Sequence, residues 1–228
     1  MAIYGSADNG ILGGFTRNEM VVYVFISFVA TNIVFIGVSG DIANRVVDGS
    51  VIMQLIKPID YRISLIADAV GIMIYRFVIP SLFIWIGLEF YKVKVLGMPV
   101  VSLFELLAFL VSCIFSFFIY VLFDFIFGLV PFHTTYMFGL FILKDAFLAF
   151  LTGQMIPISF FPPLIQRFFE FMPFSSMVYV PVMIYLGKYT GMELVRAMLL
   201  QLVWIVLLYV LGDVLWRRIT KKMVILGG

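Results

Sequence analysis

Charge is what this chain has least of. Asp, Glu, Lys and Arg make up 12% of its 228 residues, where a soluble domain carries about 25%. An ordinary water-soluble globule is thereby excluded. The charge present also lacks a dominant sign, since fifteen Lys and Arg against thirteen Asp and Glu leave a net charge of +2. That is too little, and too scattered, to track a phosphate backbone, so no nucleic acid is expected as a partner. A single cysteine, Cys113, permits no intramolecular disulfide and no thiolate cluster. A single histidine, His133, argues against a histidine metal site built from this chain. No G-x-x-x-x-G-K-[ST] loop occurs, and the nearest candidate, Gly187-Lys188, lacks the upstream glycine, so ATP is not bound here in the P-loop manner. Nor does any apolar stretch hold a G-x-S-G nucleophile motif. The chain is therefore expected to do no covalent chemistry and to hold no cofactor of its own.

What is present is apolar. Hydrophobic residues reach 64%, with 26 Phe, 11 Tyr and 3 Trp. One soluble core of this length cannot hide that much apolar surface, so the surplus must face membrane lipid. The aromatic content also excludes disorder. Crossing about 30 Å of hydrocarbon takes about 20 mainly apolar residues. On that measure the sequence predicts an all-α, polytopic bundle, one transmembrane domain over 1–228, with five spans at 18–38, 63–88, 102–130, 135–157 and 192–216. Between the last two, Ser159 to Thr190 is apolar but carries four prolines, and is expected to dip into the membrane or lie along it.

Three spans announce their starts with capping boxes, Thr16-x-x-Glu19, Ser102-x-x-Glu105 and Thr190-x-x-Glu193. These open the first, third and fifth spans, so all three boxes are expected on one side. Arg217, Arg218, Lys221 and Lys222 follow the fifth span, and the positive-inside rule makes that end cytoplasmic. The boxes and the N-terminus would then face outside. The opening MAIYGSADNGILGG has neither a basic n-region nor an apolar core, so no cleaved leader is expected. An external N-terminus without a leader suggests a further span upstream of Met1.

The richest stretch in charge is Gly40 to Arg62, GDIANRVVDGSVIMQLIKPIDYR, with three acids and three bases. It must sit in water. Ile42, Val46 and Val47 fall on one side of a short helix, with Asp41, Asn44, Arg45 and Asp48 on the other and Gly49 placed to end it. A second apolar turn runs through Ile52, Leu55 and Ile56 to Lys57-Pro58. Two readings stay open from the residues alone, an interfacial helix resting on headgroups and a docking knob for a soluble partner.

The pattern Asp41, Arg45, Asp48-Gly49-Ser50, Leu55 and Lys57-Pro58 resembles the cytoplasmic loop of the type 2 ABC export permeases, the ABC-2 superfamily. Gly153-Gln-Met-Ile-Pro157, Ser159-Phe-Phe-Pro162, Met172-Pro173-Phe174 and Pro181 to Lys188 are similar to that family's segment before its last helix. The likeness extends from Gly13 to Arg218. It implies a six-helix subunit in the cell membrane, two permease subunits, identical or similar, and separate ATPase subunits that carry ATP and Mg. It also implies that the 40–62 loop couples to the ATPase, through Asp41, Arg45, Asp48, Gly49, Leu55, Lys57 and Pro58. Segment 159–190 would be an extracellular re-entrant segment, and Gly153, Pro157, Phe160, Phe161 and Pro162 an external gate. The family's first helix has no counterpart among the five spans, in keeping with the upstream span suggested above.

Ionisable groups within spans are functional candidates, since a charge at the bilayer centre costs about 2.5–3.5 kcal/mol on insertion scales. Asp68 and Asp124 lie near the cytoplasmic ends and read as structural, relieved by snorkelling. Arg76, Lys144 and Asp145 lie nearer mid-depth. They read either as an inter-helix pair, Arg76 with Asp145, or as a polar lining of a transport path. The rival to an ATP-driven permease is an ion-coupled carrier or channel using those three as a relay. His133 reads as a solvated loop residue and Cys113 as core or lipid-facing.

Overall fold

The computed structural model describes residues 11–55, 58–134 and 137–226. It begins with a hairpin of two-residue strands, β1 (Ile11–Leu12) and β2 (Phe15–Thr16), with Leu12 opposite Phe15. Gly13 and Gly14 between them both have positive φ, 56° and 81°, as the mirror-image turn of a tight hairpin requires. All else is helix and connection. The helices in order are α1 (Arg17–Val34), α2 (Ser39–Val47), α3 (Val51–Leu55), α4 (Tyr61–Arg76), α5 (Leu82–Lys94), α6 (Leu103–Phe127), α7 (Phe138–Leu151), α8 (Pro163–Phe171), α9 (Tyr179–Tyr185) and α10 (Gly191–Leu226). A π-helical turn, Phe77–Ser81, joins α4 to α5 without a break.

Four stretches are long and apolar enough to cross a membrane: Arg17–Val47, Tyr61–Lys94, Leu103–Phe132 and Gly191–Lys221. They match the first, second, third and fifth expected spans, and the polytopic all-α class holds. The fourth span is corrected. The start expected for it, Thr135 and Tyr136, lies outside the described residues, and the helix found, α7, has 14 residues. At 1.5 Å per residue it rises about 21 Å, short of a bilayer. Its end has a local cause: the Thr152 hydroxyl bonds back to the Leu148 carbonyl at 2.6 Å, and Gly153 follows at φ 76°, the left-handed step that closes helices.

Ser159 to Thr190 is broken, as its prolines demand. Pro162 and Pro163 open α8, which buries no residue, whereas every residue of α9 is buried. Of the three capping boxes, those at Thr16 and Ser102 form in full. The third does not, because the Glu193 amide donates to the Thr190 carbonyl, at 3.1 Å, where a box needs the hydroxyl.

The core gathers around α1 and α6, each about half buried along its span, while α4–α5 and α10 present most of their surface outward. In lipid that outward surface is at home, so burial by itself does not hold the helices together. Close packing and polar contacts between helices must do so. Gln201 of α10, wholly buried, meets Ser112 and Ser116 of α6 and the Ser176 carbonyl before α9. Arg62 at the start of α4 pairs with Asp213 of α10 at 2.5 Å. Lys92 of α5 pairs with Glu89 at 2.8 Å, and the Tyr185 hydroxyl of α9 donates to the same carboxylate.

Candidate functional site

Two groups of expected residues are brought together at opposite ends of the bundle. Ser112 pairs with Gln201, and Phe125 meets both Gly212 and Trp216, so α6 and α10 run in the same direction. At their N-terminal end lie the boxed carboxylates Glu19 and Glu105, which line one cavity with Lys92 and Tyr185. At their C-terminal end lie α2, the start of α4, and Arg217, Arg218 and Lys221.

At that second end α2 carries the loop's charges. Ile42 and Ala43 are buried, Asp41, Asn44 and Asp48 are exposed, and Arg45 lies half-buried, 5.9 Å over the Tyr61 ring. Val47, expected on the buried side with Ile42, is instead 68% exposed. The reason is that α2 ends at Val47 and the chain turns away at Gly49, with φ 76°. Ile52 and Met53 of α3 are also exposed, and Val51 takes the buried place. Pro58 is exposed. Lys57 and the Leu55 side chain lie outside the described residues. The result is a protruding tip with apolar Val47, Ile52 and Met53 beside charged Asp41 and Asp48.

Asp48 also organises the tip, by accepting from the Ser50 amide at 2.8 Å. Bonds from Ser50, hydroxyl first and amide second, hold its carboxyl below the usual carboxylate range. The Arg62 guanidinium does the same for Asp60. Both contributions to local stability are present above the ordinary carboxylate pKa and fade only as pH falls through the lowered values. Both acids are therefore charged at neutral pH.

The base of α2 is fastened by a residue that sequence reasoning set aside. Asp124 of α6, at 0% exposure, accepts from the Val38 amide at 2.7 Å and the Ser39 amide at 2.8 Å. It also accepts from the Ser39 hydroxyl at 2.8 Å and from the Lys144 ammonium of α7 at 2.6 Å. A carboxylate at a helix N-terminus satisfies amides the helix leaves unpaired and lies at the favourable end of its dipole.

This arrangement corrects the pairing expected from the sequence. Lys144 binds Asp124, with Asp145 only at 3.6 Å and its side chain 70% exposed. Arg76 does not meet Asp145; its guanidinium donates to the Phe35 carbonyl at 3.0 Å. Asp124 is buried, not snorkelling to water. Asp68 is exposed, His133 is exposed in a turn, and Cys113 is buried core.

The residues expected at a gate cluster at the end of α7. Gly153 and Pro157 are buried. Phe160 meets Phe15 edge-on, at 6.3 Å between ring centres, and lies against Gly13. Phe161 meets Phe150 and Phe169, each at 5.4 Å, and Pro162 is the residue before α8. Tyr23 of α1 secures the cluster by donating its hydroxyl to the Gly153 carbonyl at 2.5 Å. Tyr23→Phe should lower the thermal unfolding midpoint in detergent by about 3 °C, since one buried hydrogen bond is worth about 1 kcal/mol.

Four membrane-length helices, a polar tip at one end and an aromatic cluster at the other define a polytopic membrane protein, and among the described residues no metal-binding cluster is found. Residues 2–227 match the family described as ABC-2 family transporter protein. The chain belongs to that family, as a permease of an ABC-type transporter. Comparison with curated proteins and with solved structures gives no match.

Proposed function

We propose that the chain is the permease subunit of an ABC exporter in the cell membrane, lining the substrate path with a second permease subunit. Separate ATPase subunits, which hold the ATP and Mg, drive it. The observation that carries this reading is the tip of α2 and α3. Its exposed Val47, Ile52 and Met53 beside Asp41 and Asp48 suit a protein cleft better than headgroups, because the exposed charges of this tip include acids that anionic lipid would repel. On this reading Arg45, Asp48 and their neighbours form the coupling loop, the basic end is cytoplasmic, and the Phe160 cluster is the external gate. The exposed side chain of Asp145 supports the second subunit. Facing lipid it would cost about 2.5–3.5 kcal/mol, a cost avoided if α7 borders a polar cavity between two permeases.

The ion-coupled alternative draws less support. The relay it needs is not assembled among the described residues, since Arg76 is bound to a carbonyl and Lys144 to Asp124. The discriminating experiment purifies the complex in mild detergent and identifies its chains. Arg45→Ala with Asp48→Ala should insert normally yet reduce ATPase recovery at least tenfold, about 1.4 kcal/mol of binding. Undiminished recovery together with ATP-coupled transport in that double variant would remove the loop's role.

A further inference from the structure

The tip of α2 explains where a partner could push, but not how a push there reaches the membrane interior. α2 is separated from α1 by four residues, Phe35 to Val38, outside any helix, so the helix axis does not run on from α1 into α2. The firm connection is the one made by Asp124. Its carboxylate takes the amide of Val38, the residue before α2, the amide of Ser39, the first of α2, and the Ser39 hydroxyl, and the same oxygen that meets that hydroxyl meets Lys144 of α7. Lys144, 8% exposed, also donates to the Ser39 hydroxyl at 3.2 Å. Three helices thus share one charge pair. Contact is equally close beside it, where α2 crosses Gly128 at the end of α6. A Cβ there would stand 3.0 Å from the Ser39 Cα.

Buried charge pairs give little net stability, yet breaking one is costly because the survivor is left unpaired in a dry site. They hold a geometry rather than add strength. Resting on the reading above, we propose that Asp124 and Lys144 lock α2, α6 and α7 into one rigid body, so that displacement of the α2 tip is delivered to α7. Asp124 and Lys144 are positioning residues. They lie away from the exposed tip of α2, and they decide which helix moves.

Spin labels test this on the chain in lipid nanodiscs. One pair joins Asn44→Cys on α2 to Phe147→Cys on α7, and a reference pair joins Asn44→Cys to Ile114→Cys on α6. Labelling is confined to these sites because Cys113 is buried. In the parent both pairs should give narrow distance distributions. Lys144→Met leaves Asp124 capping α2, so the reference pair should stay narrow while the α2–α7 distribution broadens about twofold. Asp124→Asn keeps an oxygen for the α2 amides, loses the charge that holds Lys144, and should do the same. An α2–α7 width unchanged in both variants overturns the proposal.

In complexes that retain the ATPase, trapping with Mg-ATP and vanadate should shift the distance between labels at Phe147 and Val203 of α10. Lys144→Met should reduce that shift by half or more. A full shift in this variant also overturns the proposal. If no ATPase accompanies even the parent chain, it is the transporter reading that fails, and the α2–α7 widths still decide the lock.

Discussion

Gln201→Leu is expected to lower the midpoint of thermal unfolding in detergent by about 4–7 °C. Gln201 sits in the first third of α10 at 0% exposure. Its amide oxygen accepts from the Ser112 hydroxyl at 3.1 Å, and its nitrogen donates to the Ser116 hydroxyl and the Ser176 carbonyl at 3.0 Å and to the Ser112 carbonyl at 3.3 Å. Single interhelical hydrogen bonds in membranes average about 0.6 kcal/mol, and because the amide nitrogen has only two hydrogens to share among its three acceptors, the three bonds made at a time amount to about 1.8 kcal/mol. For a chain of this size each kcal/mol moves the midpoint by about 2–4 °C. Leucine preserves the volume and removes every bond. Gln201→Glu should be worse still, because a carboxylate cannot donate to the Ser176 carbonyl and brings a buried charge. A change under about 2 °C for the leucine variant would mean that α6, α9 and α10 are held by packing alone.

Gly128→Val should separate insertion from coupling. A Cβ at Gly128 would lie 2.6 Å from Ile42 Cδ1 and 3.0 Å from the Ser39 Cα, the second a backbone atom that no rotamer change can move. α2 must therefore lift off α6. Overpacking of this kind costs about 1–3 kcal/mol, and here the strain falls on the bonds from Val38 and Ser39 to Asp124. Recovery of the ATPase with the permease should drop by about tenfold, while the amount of chain inserted in the membrane stays within twofold. Gly87→Ala is the control, since nothing lies within 4 Å of its Cβ position. Equal ATPase recovery from the valine variant and the control would show that the seating of α2 on α6 is irrelevant to docking.

Much of the fold was legible because apolar length is a strong signal. Four of the five expected spans match membrane-length helices, and two of three capping boxes form with both reciprocal bonds. The fourth span misled because its apolar run continues past Thr152, and hydropathy does not register the left-handed step at Gly153. The ion pair was harder. Mid-depth charges suggested Arg76 with Asp145, yet Asp124 and Lys144 lie ten residues either side of Thr134, in the connection between α6 and α7. Helices joined by a short turn run antiparallel, so positions equidistant from the turn share a depth. That symmetry was present in the sequence. The two amides of Val38 and Ser39 were not, because backbone donors leave no trace in residue identity. For the residues expected at a gate, the sequence placed Gly153, Pro157 and Phe160 together, while Tyr23 and Phe15, which bind them, come from a distant helix and hairpin with nothing local to mark them.

The π-helical turn at Phe77–Ser81 has a consequence for the phase of the second span. Along α4 the buried positions are Tyr61, Leu65 and Ala69, and along α5 they are Leu88 and Lys92, with Ser81 between them. At about 100° per residue, the stripe through Ala69 would reach position 80 in an unbroken α-helix. It resumes at Ser81, so the wider turn absorbs one surplus residue and returns the inward face to register. Deleting one residue there would regularise the helix and leave that face in register, whereas an ordinary α-turn formed without a deletion would swing everything beyond it through about 100°. Lys92 and Glu89 would then leave Tyr185 together and rotate toward the hydrocarbon, so an irregularity in the ladder is what keeps this helix correctly dressed for oil on one side and protein on the other.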